Sequence, residues 1–157
     1  MRLAALTRAK QFLGYRESPP GTNGNMFGAW YGINYEPWCL IFVSYCYETG
    51  TDGGSPAFAA GARWSYVPTI VDDARAGRYG LAVTHDPKPG DVVCYDWHKD
   101  YLYDHAGLFE GWTGPSTFTA IEGNTSVSSD SNGGQVMRRI RDTSVARITF
   151  VRVPEPS

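Results

Sequence analysis

The stretch from Trp38 to Tyr47 most constrains the fold, because only Ser44 within it is plainly polar. Such a run is either a buried strand or a helix that is buried on all sides, and periodicity alone cannot separate the two. Its ends favour a helix: Pro37 suits a first helical turn, and Gly50 is a typical C-terminal stop. A membrane span needs ~20 apolar residues, so this run is too short to be one. We therefore predict a central core helix.

Cys39 lies in the first turn of the predicted helix. The dipole and the free N–H groups of a first turn can activate a thiol, and the same N–H groups can hold an oxyanion. Most free cysteines, however, behave as small buried hydrophobes. Position alone leaves both interpretations of Cys39 open. We interpret Cys46, two turns along the same helix face, and Cys94, in a predicted strand, as core residues.

Composition limits the class of protein. The 157 residues suffice for one domain with a core but not for two, and a hydrophobic content of 42% argues against disorder. A net charge of −2 provides no basic field for nucleic acid, so we interpret the cluster Arg138–Arg141 as a solvated strand face. Three cysteines without paired spacing indicate neither a disulfide framework nor a zinc site.

The two ends of the chain give weaker signals. Residues Met1–Arg8 interrupt their apolar run too early for a signal peptide. We therefore expect a protein that is made in the cytoplasm without a signal peptide and does not associate with membrane. We predict one domain over residues 1–153, and interpret Pro154–Ser157 as a tail or the start of a linker.

Helical patterns come first along the chain, and strand patterns follow. Apolar spacing predicts, besides the central helix and a loop at 51–61, helices at Leu3–Leu13, Met26–Gly32 and Val67–Ala76. Strands are predicted at residues 91–97, 104–112, 118–124, 135–141 and 146–153. Helices followed by strands that are joined by short turns indicate an α+β fold with an antiparallel sheet, and not a doubly wound one.

A thiolate nucleophile needs a base, and the base needs an orienting group. Of the three histidines, only His105 lies within a predicted strand. Strand alternation puts Gly107 on the same face, where a glycine leaves room for another group to approach. In the next strand, Glu122 and Asn124 share a face. The centre of the intervening turn decides whether His105 lies opposite Glu122 or Asn124, and the sequence leaves both registers open.

Four short motifs resemble, in this order, those of the CHAP domain, the cysteine, histidine-dependent amidohydrolase/peptidase family with a papain-like core. They are Trp38-Cys39, Gly90-Asp91-Val92-Val93, Asp104-His105-Ala106-Gly107 and Ile121-Glu122-Gly123-Asn124-Thr125. The front of the chain also resembles CHAP peptidoglycan hydrolases from phages of Gram-positive hosts, through Glu17, Asn23 and Trp30-Tyr31-Gly32. The resemblance covers roughly residues 1–153 and implies a central buried helix packed on an antiparallel sheet.

The resemblance implies Cys39 as nucleophile, His105 as base, Glu122 as orienting group and Asn124 as a supporting polar group. Many CHAP domains have a glutamine immediately before the nucleophile, where it helps to form the oxyanion hole, but this chain has Trp38. Either the indole N–H replaces it or backbone N–H groups suffice, and the sequence leaves this open. Four aromatic residues are candidates for a substrate groove: Trp30, Tyr31, Trp38 and Trp97.

By resemblance, we expect a monomeric endolysin-type enzyme that cleaves an amide bond of bacterial peptidoglycan, with endopeptidase activity slightly favoured over N-acetylmuramoyl-L-alanine amidase activity. No cofactor is expected. Calcium takes ~6–8 oxygen ligands, and the front loop supplies only the acids Glu17 and Glu36, so we expect no metal. The linker-like end is compatible with a further C-terminal cell-wall-binding domain. The alternative is a non-catalytic wall-binding module, in which the aromatic residues line a groove and the Cys/His/Glu set is incidental.

Overall fold

A computed structural model of the chain describes residues 1–130 and 132–157. Helices dominate the first half and strands the second, which confirms the predicted α+β class. The helices are α1 (Arg2–Lys10), α2 (Met26–Tyr31), α3 (Cys39–Gly50), α4 (Pro56–Ala59) and α5 (Val67–Arg75), followed by a 3₁₀ turn at Arg78–Gly80. The strands are β1 (Ala82–Thr84), β2 (Val92–Asp96), β3 (His105–Trp112), β4 (Thr117–Thr125), β5 (Gln135–Asp142) and β6 (Arg147–Arg152).

The strands form one antiparallel sheet in the order β1-β6-β2-β3-β4-β5. Strands β2 to β5 follow one another as neighbours, as expected for short connections. The last strand, β6, returns to lie between β1 and β2. Because β3 and β4 are antiparallel, the start of β3 and the end of β4 lie at the same end of the sheet.

The central helix was correctly predicted, since every residue of α3 from Cys39 to Tyr47 is buried. Its single plainly polar member, Ser44, donates a hydrogen bond from its hydroxyl to the Trp64 carbonyl at 2.6 Å. The helix packs closely on β4, because Gly123 has no side chain at the contact. A Cβ at Gly123 would lie 2.8 Å from the Cβ of Phe42.

Two short elements depart from the sequence prediction. Residues 51–61 were expected to be a loop, but α4 forms there, with Pro56 in its first turn. The Ser55 side chain caps α4 by accepting a hydrogen bond from the Ala57 N–H at 3.3 Å. Strand β1 was not predicted, because its three residues are too few to show a pattern. Neither departure changes the arrangement of α3, β3 and β4.

Both faces of the sheet bury apolar side chains. Helix α3 covers the face that carries Cys94, Ala106, Leu108 and Ile121. The opposite face carries a second, mainly aromatic cluster, formed by Val93, Tyr95, Phe109, Phe118 and Ala120, and bordered by Trp97, Ile148 and Phe150. This second cluster positions the polar side chains of the candidate site, because Tyr95 lies directly opposite His105.

The C-terminal tail contacts the domain, in contrast to the linker expected from its composition. The Arg2 N–H donates to Glu155 Oε1 at 3.2 Å, and the Arg2 guanidinium lies 3.5 Å from the same oxygen. Pro154 packs against Gly80, where an added Cβ would lie 3.1 Å from the proline Cγ. In the described part of the chain, no helix combines the length and the apolar character that a membrane crossing requires.

Candidate active site

A buried histidine–carboxylate pair lies at the end of the sheet where β3 begins and β4 ends. His105 Nε2 lies 2.8 Å from Glu122 Oε1, and both side chains are fully buried. Nε2 donates to this carboxylate whenever it carries a proton, whether the ring is neutral or charged. This hydrogen bond holds the ring in one orientation. The structure thus joins two of the residues predicted as catalytic.

The register of the hairpin is the one that places Asn124, not Glu122, opposite His105. The pairs Leu108–Ile121 and Phe109–Ala120 fix it, and their continuation puts Gly107 opposite Glu122. Glu122 therefore reaches His105 along the diagonal, a contact that is open to long side chains. Gly107 makes this possible, because a Cβ there would lie 2.5 Å from Glu122 Cγ. Both registers considered from the sequence paired His105 with the residue directly opposite it, so neither included this diagonal contact.

Glu122 has two further buried partners, which sequence reasoning missed. Arg141 of β5 donates from Nε to Oε2 at 3.0 Å and from Nη2 to Oε1. The Tyr95 hydroxyl donates to Oε2 at 2.7 Å. The interpretation of the Arg138–Arg141 cluster as a solvated face is wrong for Arg141, whose side chain is only 6% exposed, because it pairs with Glu122 across the strands.

Electrostatics favour the charged forms of this pair. Burial raises the pKa of Glu122, but the His105 charge and the hydrogen bonds from Arg141 outweigh it and hold that pKa at about 2. Burial likewise lowers the pKa of His105, but the Glu122 charge and the Cys39 thiol outweigh it and raise that pKa to about 9. An imidazolium–carboxylate pair therefore persists through neutral pH.

Cys39 lies close to His105. It is the first residue of α3, is 4% exposed, and interacts with the His105 ring strongly enough to raise its pKa. Nδ1, the ring nitrogen that Glu122 does not use, is buried and has no hydrogen-bond partner among the described residues. Nδ1 is therefore the nitrogen that is left to hold a thiol proton while the carboxylate on Nε2 orients the ring.

Asn124 lies beside the pair but binds elsewhere. Its Oδ1 accepts from the Gly134 N–H at 3.1 Å, and its Nδ2 donates to Asn132 Oδ1 at 3.2 Å. Its backbone has φ of +52°, which asparagine tolerates better than most residues. The Asn124 side chain thus fastens the segment between β4 and β5, and it makes no hydrogen bond with His105.

Trp38 is not part of an exposed groove, which corrects the sequence prediction for this residue. It is fully buried and stacks on Phe27 with ring centroids 5.6 Å apart. Its indole Nε1 donates to Glu17 Oε1 at 3.3 Å, so this N–H is not available to an oxyanion. Backbone N–H groups at the start of α3 are the donors that remain of the two alternatives.

The other predicted groove residues lie in two places. Trp97 stacks on Tyr95 at 4.6 Å, and its ring centroid is 6.3 Å from that of His105, so it borders the His105–Glu122 pair. Trp30 packs on Tyr45, six residues and ~9 Å along the helix axis from Cys39. Tyr31 lines a separate groove with Trp30, Glu48, Phe58 and Arg63. A single groove containing all four aromatic residues is therefore not formed.

The described residues contain no group of three or more histidine, cysteine, aspartate or glutamate side chains that could hold a metal ion. His85, outside the site, borders a groove beside the end of α5. Cys94 is fully buried, and burial, followed by the nearby Cys39, raises the pKa of its thiol. Cys46 is also buried, and burial raises its pKa in the same direction. Both thiols are inert compared with an activated cysteine.

The sequence model of the CHAP domain matches residues 30–124, more than half of the chain. This segment includes Cys39, His105, Glu122 and Asn124. The chain belongs to the CHAP family. No curated protein is similar enough to the chain to count as a match.

The fold is also similar to that of a solved structure, the wild-type endolysin LysIME-EF1, at a TM-score of 0.55 and 15% identity. The similarity covers 99% of this chain and 65% of that chain, so the chain spans just under two thirds of the endolysin's length. The solved structure of Ly7917 is similar at a TM-score of 0.44 and 14% identity over 96% of this chain and 62% of that one. At these identities, the first similarity establishes the fold alone.

Proposed function

We propose that the chain hydrolyses an amide bond of bacterial peptidoglycan, with Cys39 as the nucleophile, as in a phage-type endolysin. The observation that carries the proposal is the arrangement of Cys39, His105 and Glu122 at one end of the sheet, in a chain of the CHAP family. The similarity of its fold to an endolysin supports a cell-wall substrate.

In the proposed reaction, His105 Nδ1 already holds the thiol proton, because the raised pKa of His105 keeps the ring protonated at neutral pH, and the Cys39 thiolate attacks the carbonyl carbon of the amide. The resulting oxyanion accepts hydrogen bonds from backbone N–H groups at the start of α3. His105 then gives the proton to the leaving amine, the C–N bond breaks, and a thioester remains on Cys39. Neutral His105 next takes a proton from a water molecule, whose attack on the thioester releases the acid product and restores the thiolate–imidazolium pair.

Glu122 acts in this mechanism by stabilising the imidazolium, which is present before the attack and forms again when water is activated. Its carboxylate stays ionised, since His105 and Arg141 hold its pKa at about 2. Because Arg141 and Tyr95 fix the carboxylate that binds Nε2, the His105 ring keeps Nδ1 free to hold the thiol proton. Asn124 supports the site indirectly, by fastening the adjacent segment through Gly134.

We favour endopeptidase cleavage over cleavage of the N-acetylmuramoyl-L-alanine bond. Mass spectrometry of digested muropeptides distinguishes the two, because the new free amine identifies the bond that was cut. The alternative function, a wall-binding module without catalysis, is less well supported, because Trp38 is buried and the aromatic residues do not form one groove.

The mechanism is tested by replacing each cysteine in turn. Cys39→Ala and Cys39→Ser should abolish wall lysis with the fold intact, whereas Cys94→Ala, a matched buried thiol, should keep most of it and lose ~1–3 kcal/mol of stability. Iodoacetamide should label Cys39 first, with loss of lysis, and EDTA should not change the rate. Lysis by either Cys39 variant would contradict the proposal.

A further inference from the structure

Glu17 differs from the other buried carboxylates of the chain in its partners. Five aspartate and glutamate residues are buried: Glu17, Asp73, Asp91, Asp96 and Glu122. Four of them form an ion pair with an arginine, namely Arg78, Arg152, Arg147 and Arg141 respectively. Among the described residues, Glu17 forms no ion pair, although it is only 8% exposed. A buried charge without a counter-charge is costly, so its presence calls for a reason.

The Glu17 carboxylate has two neutral donors. The Trp38 indole N–H donates to Oε1 at 3.3 Å, and the Asn23 N–H donates to Oε2 at 2.8 Å. A carboxylate offers about four lone-pair sites, so two donors leave acceptor capacity on both oxygens. Arg16, the adjacent cation, is exposed and forms no ion pair with Glu17. Hydrogen bonding thus fixes the orientation of this carboxylate without neutralising it.

The carboxylate borders a cavity of about 160 Å³. Its lining combines the loop after α1 with the segment before β5: Arg16, Glu17, Pro20, Gly21, Asn23, Asn132, Gly133, Gly134 and Gln135. A Cβ at Gly134 would lie 2.6 Å from Glu17 Oε1, so the absence of a side chain there keeps the carboxylate accessible from the cavity. At ~30 Å³ for each water in the liquid, the space equals that of about five waters.

This cavity lies at the catalytic end of the sheet. Its floor contains Glu17, which binds the indole of Trp38, the residue immediately before Cys39. Its wall contains Gly134. The Gly134 N–H donates to the side chain of Asn124, which follows Glu122 by two residues in the sequence. A substrate peptide that reaches Cys39 is therefore within a few residues of the cavity, since an extended chain covers ~3.3–3.6 Å per residue.

We propose that the Glu17 cavity binds a primary ammonium group of the substrate peptide, and so selects wall peptides that carry a free amine. The inference rests on the proposed peptidoglycan activity. The carboxylate supplies the counter-charge, and the lining residues Asn23 and Asn132 are amides whose oxygens can accept the remaining N–H groups. The amine is either the side chain of a diamino acid or a free peptide N-terminus.

A metal ion fits the cavity less well than an ammonium group. Calcium takes ~6–8 oxygen ligands, and Glu17 is the only carboxylate in the lining. The N–H donors on both of its oxygens also compete with a metal for the same lone pairs. An ammonium group donates three hydrogen bonds and needs only one counter-charge, which matches what the cavity offers.

Binding is measured on the Cys39→Ala variant, which holds substrate without turnover. Muropeptides with free amines are compared with peptides acetylated at the side-chain amine only or at the terminal amine only. We expect one of the two acetylations to raise Kd about tenfold, which identifies the source of the ammonium group and corresponds to ~1.4 kcal/mol. Adding Glu17→Gln to the Cys39→Ala variant should remove the difference in Kd between free and acetylated peptides.

Trp38→Phe is the matched control, because it removes a donor to the same carboxylate but keeps the charge. If Glu17 only organises its loop, both variants should weaken all peptides alike, and the inference is wrong. As a measurement that needs no Glu17 variant, butylammonium should shift the backbone NMR signals of Gly133 and Gly134. A shift of these NMR signals with Ca²⁺ but not with butylammonium would also overturn the inference. If the wild-type protein does not lyse cell walls, the proposed function is wrong. That outcome is distinct from a failure of the ammonium inference, which the binding measurements test.

Discussion

Two buried carboxylates of the sheet, Glu122 in β4 and Asp91 just before β2, are held in the same way by an arginine of a neighbouring strand. Arg141 donates to Glu122 from Nε at 3.0 Å and from Nη2. Arg152 donates to Asp91 from Nε at 3.2 Å and from Nη2 at 2.6 Å. Both acids are fully buried, and both ion pairs join adjacent strands. Geometry of the ion pair alone therefore does not separate a candidate catalytic acid from a structural one.

The difference lies in the remaining partners. Asp91 accepts from the Lys88 backbone N–H at 2.8 Å and lies 3.6 Å from the Arg2 guanidinium, which keeps its charge at all accessible pH values. Glu122 shares its carboxylate with His105, which changes its charge within the accessible pH range and lies close enough to Cys39 for that residue to raise its pKa. We infer that a buried ion pair becomes part of a catalytic site when one member can exchange a proton with a nucleophile.

The largest expected contrast is between Glu122→Gln and Asp91→Asn. Glu122→Gln should lower the lysis rate by ~10²–10⁴, because the imidazolium loses its counter-charge, and should lower the pKa of His105, which narrows the alkaline side of the pH–rate profile. Asp91→Asn should keep the rate within about threefold while costing ~1.5–3 kcal/mol, the value of a hydrogen bond to a charged group. Equal rate losses in the two variants would erase the distinction drawn here.

Replacing the two arginines should give a smaller contrast. In Arg141→Met, the Glu122 charge acts on His105 alone, so the pKa of His105 should rise further and the alkaline limb should move to higher pH. The variant should also lose ~3–5 kcal/mol, because a buried carboxylate loses a partner. Arg141→Lys keeps the charge and should leave the limb in place if the folded protein is obtained. Arg152→Met should change stability only, and a shifted limb there would contradict the comparison.

Stability should depend on pH through the Glu122 pair. The pKa of His105 is raised from 6.5 to about 9, so its stabilisation is complete below pH 6.5 and is lost as pH rises through 9. The pKa of Glu122 is lowered from 4.5 to about 2, so its contribution is complete above pH 4.5 and is lost as pH falls through 2. Urea unfolding should therefore show this pair to be most stabilising between pH 4.5 and 6.5, and Glu122→Gln should flatten the dependence.

The fold could be predicted from the sequence because its signals are local. The mainly apolar run Trp38–Tyr47, between Pro37 and Gly50, predicted the central helix, and the pattern of Val67–Ala76 predicted α5 to within a residue. The β3–β4 hairpin was less predictable, since a bulge between Phe109 and Gly111 shifts the register along the two strands. The sequence placed the centre of the turn only to within a residue, and it could not show the bulge.

The environment of Glu122 could not be predicted from periodicity, because β5 inverts the usual pattern. Ile140 is 75% exposed, whereas its neighbour Arg141 is buried. A signal was nevertheless present: a buried acid in β4 needs a cation, and the adjacent strand carries three arginines. Trp38 was misplaced for a similar reason, since a tryptophan before the nucleophile is compatible with either a groove or a core, and only the Glu17 contact decides.

The smallest expected effect on the chemistry concerns Asn124, which lies in β4 two residues after Glu122 but binds Gly134 instead of His105. Because Asn124, like Asp91, is not bound to His105, its replacement should leave the pH–rate profile unshifted. Asn124→Ala combines the loss of the carboxamide with strain, because alanine disfavours the observed φ of +52° by roughly 1–2 kcal/mol. Asn124→Gly removes the side chain without that strain, so the difference between the two variants in urea unfolding isolates the backbone cost. A pH–rate profile whose alkaline limb moves in the glycine variant would show that the carboxamide does act on His105.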